Sequence, residues 1–176
     1  MRKGVLTGVA ALCIAILALP LGRAHAQGTS SGVFYHDQSG TALNGVPTSR
    51  ALALASARLA FTVHLPTRWP GGTRLQALWV MDKHNPRFAV LYYGDGNGYI
   101  TCQLHESITG NGVAMPWATR TSIAVGSTKA TLLQSNIGGA YPVSEIIWRL
   151  HGVRYDLLGS TSTSLSTVMG MATSIS

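Results

Sequence analysis

Downstream of residue 26, the groups in this chain that could move a proton at ordinary pH are six carboxylates and five histidines. The carboxylates are Asp37, Asp82, Asp95, Glu106, Glu145 and Asp156, and the histidines are His36, His64, His84, His105 and His151. Acid–base catalysis needs two carboxylates facing each other, or a carboxylate aimed at an imidazole. Most of these acids border turns. His105 and Glu106 are neighbours, but on a strand they point to opposite faces and cannot cooperate directly. A hydrolase would therefore need His64, His105 or His151 to meet a carboxylate brought from elsewhere in a cleft. No two histidines have the i, i+4 spacing of a helical chelate, so no metal site is expected, and no cofactor is expected because the chain has neither a phosphate-cradling loop nor a dinucleotide fingerprint.

Two short motifs imitate functional ones. Asp95-Gly96-Asn97-Gly98-Tyr99-Ile100 matches the middle of a calcium loop, yet the first ligand position falls on Tyr93 and the bidentate position on Leu104. Its flanks read as strands where helices are required, so it is read as a hairpin turn. Gly28-Thr29-Ser30-Ser31-Gly32 has the form of a nucleophile elbow, which works only between a buried strand and a helix. No catalytic residue is assigned. Trp79, Trp117 and Tyr141 are the side chains that would line a pocket if the sheet curved around a hydrophobic ligand; otherwise they are core.

The elements that position these groups lie between punctuation marks. Arg2 and Lys3, the apolar run Val5 to Leu21 and Ala24-His25-Ala26 have the three-part order of a secretory signal, so residues 1–26 are expected to be removed on export. Cys13 lies inside the apolar run behind Leu12, which argues against lipid attachment. Loss of Arg2, Lys3 and Arg23 leaves ten cations against six anions, a formal +4 instead of +7. The remaining cations are scattered singly, which excludes a nucleic-acid footprint and points to an anionic envelope surface as neighbour. No stable membrane span is expected after cleavage. Cys102 would be the one remaining cysteine, so no internal disulfide supports the fold, and its apolar neighbours predict burial.

Residues 27–47 are rich in Gly, Ser, Thr and Asn around a single apolar knot, Val33-Phe34-Tyr35, and read as a flexible leader. Residues 48–176 read as a single domain. Thr48 or Ser49 is placed to cap a helix through Leu59. Phe61, Val63 and Leu65 alternate into an extended segment that Pro66 and Trp69-Pro70-Gly71-Gly72 end. Strands are then predicted over 75–81, 87–93, 99–106, 119–125 and 129–134. A hairpin follows, 145–150 returning as 153–157 through His151-Gly152, with Trp148 facing Tyr155 and Ile146 facing Leu157. Ser162 or Thr163 is placed to cap a last helix carrying Leu165, Val168, Met169, Ala172 and Ile175.

The order of helix, Phe61-Thr62-Val63-His64-Leu65-Pro66, Trp69-Pro70-Gly71-Gly72, strands with Val90-Leu91-Tyr92-Tyr93, the Trp148-to-Tyr155 hairpin and a closing Met171-Ala172-Thr173-Ser174-Ile175 resembles the bacterial domain of unknown function numbered 4367. The resemblance spans about Thr48 to Ile175. It implies an extracytoplasmic domain of the kind found in anti-sigma-factor-like and envelope proteins, and it supplies no catalytic residues. No cytoplasmic anti-sigma segment of the kind such proteins carry is expected here.

The expected fold is α+β, an antiparallel sheet of about five to seven strands with an N-terminal and a C-terminal helix packed on one face. The expected function is an exported, envelope-associated binding module without catalytic activity, whose partner is an envelope protein, polymer or lipid and not nucleic acid. A carrier or sensor of a hydrophobic ligand or lipid is the first alternative, and a hydrolase with an unrecognised site is the second.

Overall fold

The computed structural model describes residues 32–84, 87–95, 97–108 and 118–175. The expected signal, the apparent nucleophile elbow up to Ser31 and Trp117 lie outside the described residues. Nine strands and two helices follow one another as β1 (Val33–Asp37), β2 (Ala42–Val46), α1 (Thr48–Leu59), β3 (Arg74–Met81), β4 (Phe88–Gly94), β5 (Ile100–Ser107), β6 (Thr119–Val125), β7 (Thr128–Ser135), β8 (Val143–Leu150), β9 (Val153–Gly159) and α2 (Leu165–Ala172).

All nine strands form one sheet in the order β2-β1-β3-β4-β5-β9-β8-β7-β6. This corrects the expected fold in three respects. The sheet is mixed, because β1 runs parallel to β3. It is larger than expected, and the helices beside it are short, 12 and 8 residues. The first helix is not N-terminal in the fold, since β1 and β2 precede it. These two strands occupy residues assigned from sequence to a flexible leader. Their alternation spans only five residues each, and both faces of β1 carry large side chains, so no polar–apolar period marks it.

The core is built in rows across the sheet. Tyr35, Leu78, Leu91, Leu104, Leu157, Ile146 and Leu132 are successive register partners across β1, β3, β4, β5, β9, β8 and β7. Leu78, Leu91, Leu104, Leu157 and Ile146 are fully buried, and each contributes about 1.5–3 kcal/mol by leaving water. Ala51, Ala55 and Leu59 of α1 and Val168, Met171 and Ala172 of α2 join the same apolar cluster. Gly159 lets α2 approach: a Cβ there would lie 2.5 Å from Val168 Cγ2.

The β8–β9 hairpin has the register read from the sequence, Trp148 opposite Tyr155 and Ile146 opposite Leu157. His151 and Gly152 both have positive φ, 50° and 82°, as a two-residue turn that matches strand twist requires. The helix caps differ from expectation. Pro47 precedes α1 with no side-chain cap, and Thr48 lies inside the helix. Ser164, not Ser162 or Thr163, caps α2 by accepting from the Thr167 amide. Among the described residues no helix is long and apolar enough to cross a membrane.

Candidate functional site

The two sides of the sheet hold different chemistry. On the helix-covered side, the row next to the leucines runs Val80, Ala89, Glu106, Tyr155, Trp148 and Ala130. Glu106 is fully buried. The loop from α1 to β3 brings His64 over it: the His64 main-chain N–H donates to Oε1 and Oε2 at 3.2 and 3.0 Å. The imidazole Nδ1 lies 3.8 Å from Oε2, an ion-pair contact too long for a hydrogen bond, and shares a 3.0 Å hydrogen bond with the Tyr155 hydroxyl. Tyr155 in turn stacks on Trp148, with ring centroids 5.1 Å apart. The Glu106 contact pushes the His64 pKa up against the opposing effect of burial. Burial raises the Glu106 pKa, partly offset by His64.

This is the meeting of histidine and carboxylate that a hydrolase would need. Neither His64 nor Glu106 lines either of two clefts on the surface of the described residues. The first, about 260 Å³, is walled by the β6–β7 turn, Trp148, Leu150, His151, Thr173 and Ile175. The second, about 160 Å³, lies between Arg68-Trp69-Pro70 and α2. Both fall below the volume usual for a small-molecule site.

The side of the sheet away from the helices carries His105, whose register partner on β9 is Asp156. Asp156 is already engaged by Arg154, which donates from Nε at 3.2 Å and from Nη2 at 3.0 Å. Burial lowers the His105 pKa while Asp156 opposes it, and the ring stacks on Phe88 at 6.2 Å and 5°. His151 stands exposed in its turn. Asp95, in the calcium-like segment, accepts the Asn97 amide at 2.8 Å, an ordinary turn interaction.

Four further rings form a row on this same side. Phe34 and His36 of β1, Trp79 of β3 and Tyr92 of β4 follow one another at centroid distances of 6.4, 5.4 and 5.7 Å. All four are half-buried. Among the described residues the Trp79 indole N–H and His36 Nδ1 have no hydrogen-bond partner, but both atoms are buried, so what the row offers a ligand is the exposed part of its ring surfaces.

Of the pocket-lining residues read from the sequence, Trp79 belongs to this row. Tyr141 is exposed in the segment before β8, a strand four places from β3 in the sheet, and its amide bonds to Thr161 beyond β9. The described residues therefore do not place Trp79 and Tyr141 on one pocket. Phe34 and His36 escaped sequence reasoning because they lie in the segment read as a leader, and Tyr92 because it sat inside a run of apolar residues. The chain matches no family model, no curated protein and no solved structure. The resemblance noted above accordingly lends no residue or role to this site.

Proposed function

We propose that this protein is an exported, non-catalytic recognition module that binds a hydroxyl-rich polymer of the cell envelope, a glycan, along the sheet side away from the helices. The observation that carries this reading is the row Phe34, His36, Trp79 and Tyr92, four rings spread across three adjacent strands. Aromatic faces supply rigid, sequence-tolerant contact area at low entropic cost. The half-buried rings keep part of their surface exposed, and it is ring faces of this kind that stack on the apolar faces of sugar rings. None of the four side chains is a permanent cation, as an anionic ligand would favour. The export signal read from residues 1–26 supports an envelope setting.

The test is cosedimentation of the protein with purified, protein-free cell-wall polysaccharide. Trp79→Ala is expected to weaken binding about tenfold, a loss of about 1.4 kcal/mol, while Tyr141→Ala leaves it unchanged. A protein that stays in the supernatant with the polysaccharide, or a Trp79→Ala variant that folds and sediments like the parent, overturns the reading.

A further inference from the structure

Among the described residues the nine-stranded sheet has two edges, β2 and β6, and they are unlike. The β2 edge is five residues long, its register with β1 shifts between Val33 and Tyr35, and it contains Gly45 at φ 66°. Irregularity of this kind blunts a strand against further pairing. The β6 edge, Thr119-Arg120-Thr121-Ser122-Ile123-Ala124-Val125, pairs with β7 without interruption over all seven residues. It contains no proline, glycine or lysine, and five of its seven residues are exposed.

We infer that β6 is a self-association edge, on which a second copy of this chain pairs antiparallel about Ser122. The backbone geometry selects that centre. A two-residue turn, Gly126-Ser127, joins Val125 to Thr128, and the closing pair of such a hairpin exchanges both of its hydrogen bonds. Alternation along β6 then turns the N–H and C=O of Ala124, Ser122 and Arg120 away from β7 and toward the open edge. A two-fold axis at Ser122 sets Ser122 against its own copy and Arg120 against Ala124 of the second chain, giving about six new backbone hydrogen bonds.

The side chains agree with this register. Arg120 is the only charged residue of β6, and opposite the methyl of Ala124 it meets no like charge. On the helix-covered side Thr121 faces Ile123 and Thr119 faces Val125, β-branched pairs that suit strand packing. A register shifted by four residues, with the axis at Arg120, sets the two Arg120 side chains directly opposite each other, which costs stability. One strand pair buries little area, so the association is weak, micromolar or weaker.

Sedimentation equilibrium of the full chain over a wide concentration range tests this, with crosslinking to fix the register. The apparent mass should rise from monomer to dimer. Under mild oxidation Ser122→Cys should give a disulfide-linked dimer, since directly opposed residues lie within disulfide reach, and Thr119→Cys should not. Ala124 lies between Lys129 of β7 and Arg120 of the second copy. Ala124→Glu should therefore tighten association at least about tenfold relative to Ala124→Arg. A monomer at every concentration, equal crosslinking at 119 and 122, or equal association of the two Ala124 variants overturns the inference. An extended peptide from another protein on this edge would show as the first of these outcomes.

Discussion

The main-chain amide of His64 donates to both carboxylate oxygens of Glu106, a residue 42 positions away in sequence and fully buried under the loop that carries His64. A buried carboxylate costs several kcal/mol unless it is paired and hydrogen-bonded. One amide, a nearby imidazole and the Tyr155 hydroxyl that orients it reduce that cost and anchor the α1–β3 loop to the sheet.

Glu106→Gln should lower the His64 pKa toward the ordinary histidine value, because the charge that raises it is gone. With its folded pKa raised, His64 contributes stability that is fully present below its unfolded pKa of about 6.5 and is lost as pH rises through the folded pKa. NMR titration of the imidazole in both proteins measures this. An unchanged titration would mean that Glu106 does not act on His64. Glu106→Ala, which leaves the His64 amide without its acceptor, should cost about 1–3 kcal/mol.

Glu145 sits on the other side of the sheet between its register partners Leu133 and Leu158, and burial, joined by the charge of Asp156 and opposed by Arg154, pushes its pKa up to about 8. An acid protonated in the folded state and ionised in the unfolded state loses stability for the fold as pH rises, here from about 4.5 toward 8. Glu145→Gln should be nearly neutral at pH 4 and stabilising at pH 8, on the order of 2–4 kcal/mol. Urea unfolding at the two pH values decides it. Equal effects at both would show that Glu145 ionises freely in the folded protein.

Asp37 closes the β1–β2 turn. Burial opposes its ionisation, but the amides of Ser39 and Thr41, the Ser39 hydroxyl and the Arg58 charge hold its pKa down to about 2. Its stabilisation is present above the unfolded pKa of about 3.9 and is lost as pH falls from there through about 2. Asp37→Asn should remove about 2 kcal/mol at pH 7 and flatten the acid limb of stability against pH between 4 and 2. A variant with the same acid limb as the parent would place the carboxylate's contribution elsewhere.

Cys102 is a buried thiol facing α2, and burial, opposed by hydrogen bonding with Thr163 and Thr101, raises its pKa to about 11. Thiolate, not thiol, is the reactive form. The Cys102 thiol of the native protein should label with a maleimide at pH 8 at least about a hundredfold more slowly than in 8 M urea, followed by peptide mapping. Equal rates would show a pathway to Cys102 through the native fold.

The sequence by itself determined the segments whose signals are local. Alternation and turn chemistry placed β3, β4, β5, β6, β7, β8 and β9 to within a few residues, and His151-Gly152 set the β8–β9 register outright, because a two-residue turn leaves only one pairing. The burial of Cys102 and the separation of His105 from Glu106 also follow from a period of two. What tertiary structure decided is every relationship made across long stretches of chain. Five-residue β1 had no readable period, since rings cover one of its faces and core the other, so its parallel pairing with β3 and the mixed sheet that results were invisible. Pairing of β5 with β9 joins residues about 50 positions apart, and no propensity encodes a partner at that distance. The same closure brings Glu106 beside Tyr155 and beneath His64, and the β1–β3–β4 neighbourhood assembles the aromatic row. Neither cluster has a spacing in the chain, because each is made by strands whose side chains meet only once the sheet has set which strand lies next to which.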